Sequence, residues 1–166
     1  MEFSIGNSER DTISVNVTGY ERSPVGEWYD DNWLRTEIRV KAGSFSGTIY
    51  GAMLTLDFLR FATQLRLVFE TLSGSAEFAT LEEQLSLRLV CDKMGRIELK
   101  GEIADQPGIG NRLTFSNTLD QSYLRKTLDQ LDAIVARYPE RKQPNQSTDP
   151  ASASSTSRAG HGPRHR

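Results

Sequence analysis

The sequence contains few of the residues on which catalytic and metal sites most often depend. Its 166 residues include two histidines and one cysteine. Both histidines, His161 and His165, lie close to the C-terminus in a polar segment, where no predicted helix or strand could hold a triad or a metal ligand in place. One cysteine cannot form an intrachain disulfide or a cysteine zinc site, which fits a reducing compartment. We therefore predict no catalytic residues, no metal and no cofactor.

Long apolar runs are also missing. No segment reaches the roughly 18 apolar residues that a membrane span needs. Residues 1–10 lack the basic start and the apolar stretch of a signal peptide. We expect a cytoplasmic protein that has no membrane partner.

Charge divides the chain into two parts. The formal net charge is −2, and residues 139–166 contain five basic and two acidic side chains, which leaves −5 on residues 1–138. A mildly acidic body fits a basic protein partner and argues against nucleic acid as the main ligand. Residues 139–166 have no aliphatic side chain larger than alanine, so they cannot bury enough apolar surface to offset their ordering entropy. We predict one domain over residues 1–138 and a disordered tail over residues 139–166.

Alternation of apolar and polar side chains is the strongest structural pattern in the sequence. It runs through three successive segments between residues 84 and 119, and it recurs in the segments 12–19, 33–41, 45–54 and 77–79. Successive side chains of a strand point to opposite faces, so each of these strands has one apolar and one polar face. This pattern is typical of an antiparallel sheet that exposes one face to water.

Two segments have the period of an amphipathic helix instead. They span residues 56–72 and 122–138, and Pro139 stops the second. The sequence therefore predicts an α+β fold: an antiparallel, meander-rich sheet of about six or seven strands, with the two helices packed on its apolar face. The apolar positions of the helices superimpose at a spacing of 66, as for Phe58 with Leu124. The spacing fits a duplicated strand-strand-helix unit, but any two amphipathic helices would align comparably.

Asp30 and Asp31 are the best candidates for acid-base or metal chemistry. They follow Trp28 and Tyr29 in a predicted loop. Adjacent carboxylates in an extended segment diverge, whereas a hydrolytic metal site needs convergent ligands. Two other interpretations remain: turn chemistry pinned to the core by the aromatic rings, and contact with a partner.

Three further features have structural explanations. Cys91 shares the apolar register of its strand and is predicted to fill the core. Residues 108–111, Gly-Ile-Gly-Asn, resemble half of a phosphate-binding fingerprint, but they join two predicted strands and should form a turn. Glu98 and Glu102 belong to a mixed-sign charged face that cross-strand ion pairs would explain, although such a face can also orient a protein of complementary potential.

Several stretches of the sequence resemble the WapI-type immunity protein family. They are Tyr-Asp-Asp-Asn-Trp-Leu at 29–34, Phe-Ser-Gly at 45–47, Leu-Ser-Gly-Ser-Ala-Glu-Phe at 72–78, Glu-Gln-Leu-Ser-Leu at 83–87 and Pro-Gly-Ile-Gly-Asn-Arg-Leu at 107–113. The resemblance covers roughly residues 12–138. It implies a small bacterial cytoplasmic protein that neutralises a toxin domain by binding it and that has no catalytic residue.

The favoured hypothesis is therefore a non-catalytic immunity-type protein that binds a basic toxin domain. The expected contact residues are Trp28, Tyr29, Asp30, Asp31, Glu98 and Glu102. One alternative is a small-ligand or accessory binding module with a pocket between sheet and helices. Another is a carboxylate-dependent hydrolase centred on Asp30 and Asp31.

Overall fold

The computed structural model describes residues 1–8 and 11–142. The elements in chain order are β1 (Glu2–Ser8), β2 (Asp11–Tyr20), α1 (Trp28–Asp31), β3 (Trp33–Ala42), β4 (Phe45–Leu54), α2 (Thr55–Thr71), β5 (Gly74–Ala79), β6 (Leu85–Cys91), β7 (Arg96–Ala104), β8 (Arg112–Asp120) and α3 (Ser122–Arg137). The helices predicted over residues 56–72 and 122–138 are α2 and α3. The predicted tail begins at Pro139, and most of it, with both histidines, lies outside the described residues.

The strands form two sheets. Both are four-stranded antiparallel meanders, ordered β1-β2-β3-β4 and β5-β6-β7-β8. The α+β class and the antiparallel meanders are confirmed, whereas the prediction of one sheet of six or seven strands is wrong. Alternation reports which face of a strand is buried but not which strand it pairs with. Here α2 separates β4 from β5, and β5 begins a new ladder with β6.

Two short elements differ from the prediction. Strand β1 was not predicted, because Phe3 and Ile5 alone make too short an alternation. It pairs with β2 and buries both side chains. The segment Trp28–Asp31, predicted as a loop, forms the single helical turn α1.

The two sheets and the two long helices share one core. In β6 every second residue is buried, as the alternation predicted. The buried apolar side chains of both sheets, α2 and α3 belong to a single cluster. Four rings join its parts: Phe3 on β1, Phe58 and Phe61 on α2, and Phe78 on β5. None of the described helices is long and apolar enough to cross a membrane.

The architecture repeats a unit of four strands followed by a helix. Helix α2 packs against β5, the first strand of the second sheet, while α3 packs against β1, the first strand of the first. Gln64 Oε1 accepts the N–H of Glu77 at 2.8 Å, and Gln130 Oε1 accepts the N–H of Ser4 at 2.9 Å. These glutamines lie at the spacing of 66 found in the sequence. The repeated unit is therefore larger than the strand-strand-helix unit that the spacing suggested.

Candidate partner-binding site

The candidate site is built on α1, which lies in the connection between β2 and β3. Asp31 is buried and accepts the backbone N–H groups of Val25 and Gly26 at 2.6 and 2.8 Å. It thereby fixes the turn that leads into the helix, where Gly26 has a positive φ of 91°. Asp31 therefore supports the loop and is not itself available to a partner.

The other three predicted residues of this segment are more accessible. Asp30 pairs with Arg22 at 2.8 Å. The rings of Trp28 and Tyr29 meet edge to face with their centroids 4.8 Å apart. Tyr29 is 62% exposed, so α1 presents an aromatic side chain with a carboxylate next to it. The two aspartates bind different groups and do not converge as a hydrolytic site would require.

Asn32, directly after α1, connects the site to the rest of the fold. Its side-chain amide is fully buried and makes four hydrogen bonds. Nδ2 donates to the carbonyl oxygens of Trp28 and Arg141 at 2.7 and 3.0 Å. Oδ1 accepts from the backbone N–H of Arg141 at 2.8 Å and from Thr55 Oγ1 at 3.2 Å. One side chain thus joins α1, the start of α2 and the segment after α3.

That last segment, residues 139–142, is called the strap here because it lies across the α1 loop. Tyr20 donates its hydroxyl hydrogen to the carbonyl of Pro139 at 2.5 Å. The indole N–H of Trp28 donates to Glu140 at 2.5 Å. The strap is therefore bonded to α1 through Trp28 and to the end of β2 through Tyr20.

Arg141 makes the most contacts of any strap residue. Its guanidinium carbon lies 3.4 Å from the ring centroid of Tyr20, within cation–π distance. Its Nη1 donates to the carbonyls of Arg22 and Asp31 at 3.0 and 3.3 Å. Burial raises the pKa of the Tyr20 phenol, and the Arg141 charge opposes part of that rise. Arg141 thus contacts the Tyr20 ring at the end of β2 and the backbone carbonyl of Asp31 in α1, and these contacts restrain the α1 loop.

Sequence reasoning missed the strap. It assigned residues 139–142 to the tail because residues 139–166 contain no aliphatic side chain larger than alanine. Their contacts with Trp28 and Asn32 span more than a hundred residues of sequence and leave no local signal.

Glu98 and Glu102 lie elsewhere, on the outer face of β7. Glu98 pairs with Lys100 at 3.1 Å, and Glu102 pairs with Arg112. Within the described part of the chain, neither glutamate shares a hydrogen bond or an ion pair with a residue of α1. The six predicted contact residues therefore lie in two separate places: four are on α1 and two are on β7.

The other candidate features have structural roles. Residues 108–111 join β7 to β8, as predicted. Asp105 closes this turn by accepting the side-chain and backbone N–H groups of Asn111, both at 2.8 Å, and these hydrogen bonds lower the pKa of its carboxyl. Among the described residues, no group of three or more histidine, cysteine, aspartate or glutamate side chains could hold a metal ion.

Cys91 is 8% exposed and belongs to the core cluster, in agreement with the sequence. Burial raises the pKa of its thiol, and the neighbouring Asp92 carboxylate raises it further. Both effects reduce the population of the reactive thiolate. In the native protein we expect an aromatic disulfide reagent to modify Cys91 at least about 100-fold more slowly than in concentrated guanidinium chloride. Equal rates in the two solutions would mean that the thiol is accessible.

Fold and site together define an α+β protein of two antiparallel meanders, with an exposed aromatic side chain and a neighbouring carboxylate on a braced loop. The family model described as Immunity protein WapI-like family matches residues 4–139, and the chain belongs to this family. The resemblance noted in the sequence is thus confirmed.

The other two comparisons add little. No curated protein matches the chain. Among solved structures, the crystal structures of Trypanosoma bruciei MRP1/MRP2 are similar to this chain with a TM-score of 0.43 and 11% sequence identity, covering 82% of this chain and 83% of that one. A likeness at this level carries no inference about function.

Proposed function

We propose that this protein is a non-catalytic, cytoplasmic immunity protein that binds a cognate toxin domain and neutralises it by covering its surface. Membership of the immunity family supports this function. We choose this site because Tyr29 has an exposed ring and lies on a helical turn that the strap and Asn32 hold in place. Aromatic side chains fixed in place before binding are typical centres of binding energy, because little entropy is lost when they dock.

Trp28, Tyr29 and Asp30 form the proposed contact group, and Asp31 holds them in position. The −5 charge of residues 1–138 favours a basic toxin surface. Glu98 and Glu102 lie on β7, in the other sheet, so we assign them a contribution to long-range attraction and not to the central contact.

We further propose that residues 1–138 fold as one domain. Both sheets and both long helices contribute to one continuous core, which leaves no boundary at which the chain could divide. Of the predicted tail, residues 139–142 contact this domain as the strap. The disorder predicted for residues 143–166 falls outside the described residues and remains an expectation.

Binding can be tested with the toxin domains encoded beside the gene for this protein. We expect one of them to bind tighter than micromolar by calorimetry. Tyr29→Ala should weaken that complex by roughly 30-fold, the effect of losing an interface hot spot of about 2 kcal/mol.

Tyr50→Ala provides the matched control. Tyr50 is 73% exposed on β4, so Tyr50→Ala removes an exposed tyrosine ring like that of Tyr29, but from a strand away from α1. Equal weakening by both variants would contradict the proposed site. Failure of every neighbouring toxin domain to bind would contradict the function itself.

A further inference from the structure

A groove of about 800 Å³ lies on the outer face of the first sheet, beside the start of α3. Its floor comprises two cross-strand rows of β1, β2 and β3. Ser14 is paired with Ser4 and Arg39 in one row, and Thr12 is paired with Gly6 and Lys41 in the next. Ser122, Tyr123 and Lys126 of α3 form the wall. The volume falls in the range of small-molecule sites.

The groove is positively charged. Its lining includes Arg39, Lys41 and Lys126 and no described aspartate or glutamate. Arg39 pairs with Glu37 and lies 3.7 Å from Glu2. Neither lysine forms an ion pair with a described residue. Both ammonium groups therefore lack a carboxylate partner among the described residues.

Some exposed cations of the described chain have carboxylate partners, as Lys100 has Glu98 and Arg125 has Asp129, whereas Arg88 and Lys93 have none. Lys41 and Lys126 differ from Arg88 and Lys93 because both line one groove that has no described carboxylate in its lining. In a protein of net charge −2, two unpaired lysines that line one groove select an anion. A phosphate monoester carries about −1.5 to −2 at neutral pH, which matches the two free ammonium groups.

The remaining lining fits the same ligand. Hydroxyl groups of Ser14 on the floor and Ser122 on the wall can donate hydrogen bonds to phosphate oxygens. Tyr123 is partly exposed beside them and offers its ring to an organic group attached to the phosphate.

We propose that this groove binds a small phosphomonoester, with Lys41 and Lys126 as the main phosphate contacts. The site shares no residue with the α1 loop, so it is independent of toxin binding and can be tested without a toxin.

Titration of the isotopically labelled full chain with inorganic phosphate and with a nucleoside monophosphate, followed by amide chemical shifts, tests this site. We expect saturable shifts confined to residues of the two floor rows and to residues 122–126. The double variant Lys41→Gln/Lys126→Gln should bind at least about tenfold more weakly, since it removes two charge-assisted contacts. Tighter binding of the nucleotide than of phosphate would assign the organic group to Tyr123, whereas equal affinity would assign recognition to the phosphate alone.

The matched control is Arg88→Gln/Lys93→Gln, which removes the same charge from residues outside the groove. All four side chains are exposed. Native amide spectra of both double variants would establish that they fold. If Lys41→Gln/Lys126→Gln does not fold, the single variant Lys126→Gln takes its place. Equal affinity of the two double variants would overturn the proposal. Shifts that spread over the surface without saturating, or equal shifts with acetate at the same ionic strength, would also overturn it.

Discussion

Replacement of Asn32 by aspartate is expected to lower the free energy of unfolding by about 3 to 5 kcal/mol. The substitution keeps the shape of the side chain but replaces the Nδ2 donor by an oxygen. That oxygen would face the carbonyls of Trp28 and Arg141, which now accept hydrogen bonds at 2.7 and 3.0 Å. Because the site is fully buried, water cannot compensate for the two lost bonds or for the new charge.

Urea unfolding of the Asn32→Asp variant gives the stability, and hydrogen exchange of the α1 amides reports whether the loop opens before the fold does. We expect faster exchange in α1 and the strap than in the core strands, since these segments meet at Asn32. Asn16→Asp is the control: Asn16 lies on the outer face of β2 and accepts a hydrogen bond from the N-terminal amine at 3.3 Å, so the change should stay within about 0.5 kcal/mol. A loss at Asn32 no larger than at Asn16 would show that the amide network does not hold the site together.

Phe78→Ala should be comparably destabilising, by about 3 to 5 kcal/mol. Phe78 contacts the rings of Phe3, Phe58 and Phe61, with centroid distances of 5.6, 5.5 and 5.3 Å. It therefore links the second sheet to the first sheet and to α2. The cavity left by alanine would remove all three contacts at the point where the layers meet.

The measurement is chemical unfolding with comparison of midpoint and slope. We expect a lower midpoint at unchanged slope, which would indicate lost stability with the same surface exposed on unfolding. Phe45→Ala is the control, because Phe45 is 67% exposed at the start of β4 and its removal should cost less than about 1 kcal/mol. Similar midpoints for the two variants would mean that the four rings are not a shared centre of the core.

Much of the fold followed from sequence, and the reason is visible in particular residues. The alternation of residues 85–91 matches a strand in which every second residue is buried. Phe58, Ala62 and Leu65 lie on the buried face of α2. Of the predicted contact residues, Trp28, Tyr29 and Asp30 lie together on α1, Asp31 supports the loop, and Glu98 and Glu102 lie on the other sheet. Their role in binding stays a prediction. Arg141 could not be predicted, because its contacts with Tyr20 and Asn32 join residues that are distant in the chain.

The amino-acid sequence by itself determined the α+β class, the antiparallel strands, the two long helices and the acidic charge of the body. Each of these features follows from the spacing or composition of residues that are near one another in sequence. Burial of one face makes apolar residues recur with a period of 2 in strands and 3.6 in helices. Only the tertiary structure decided that the strands divide into two sheets, that Asn32 and the strap brace α1, and that Lys41 and Lys126 line one groove. Those features depend on contacts between residues far apart in the chain, and a local sequence pattern holds no information about such contacts.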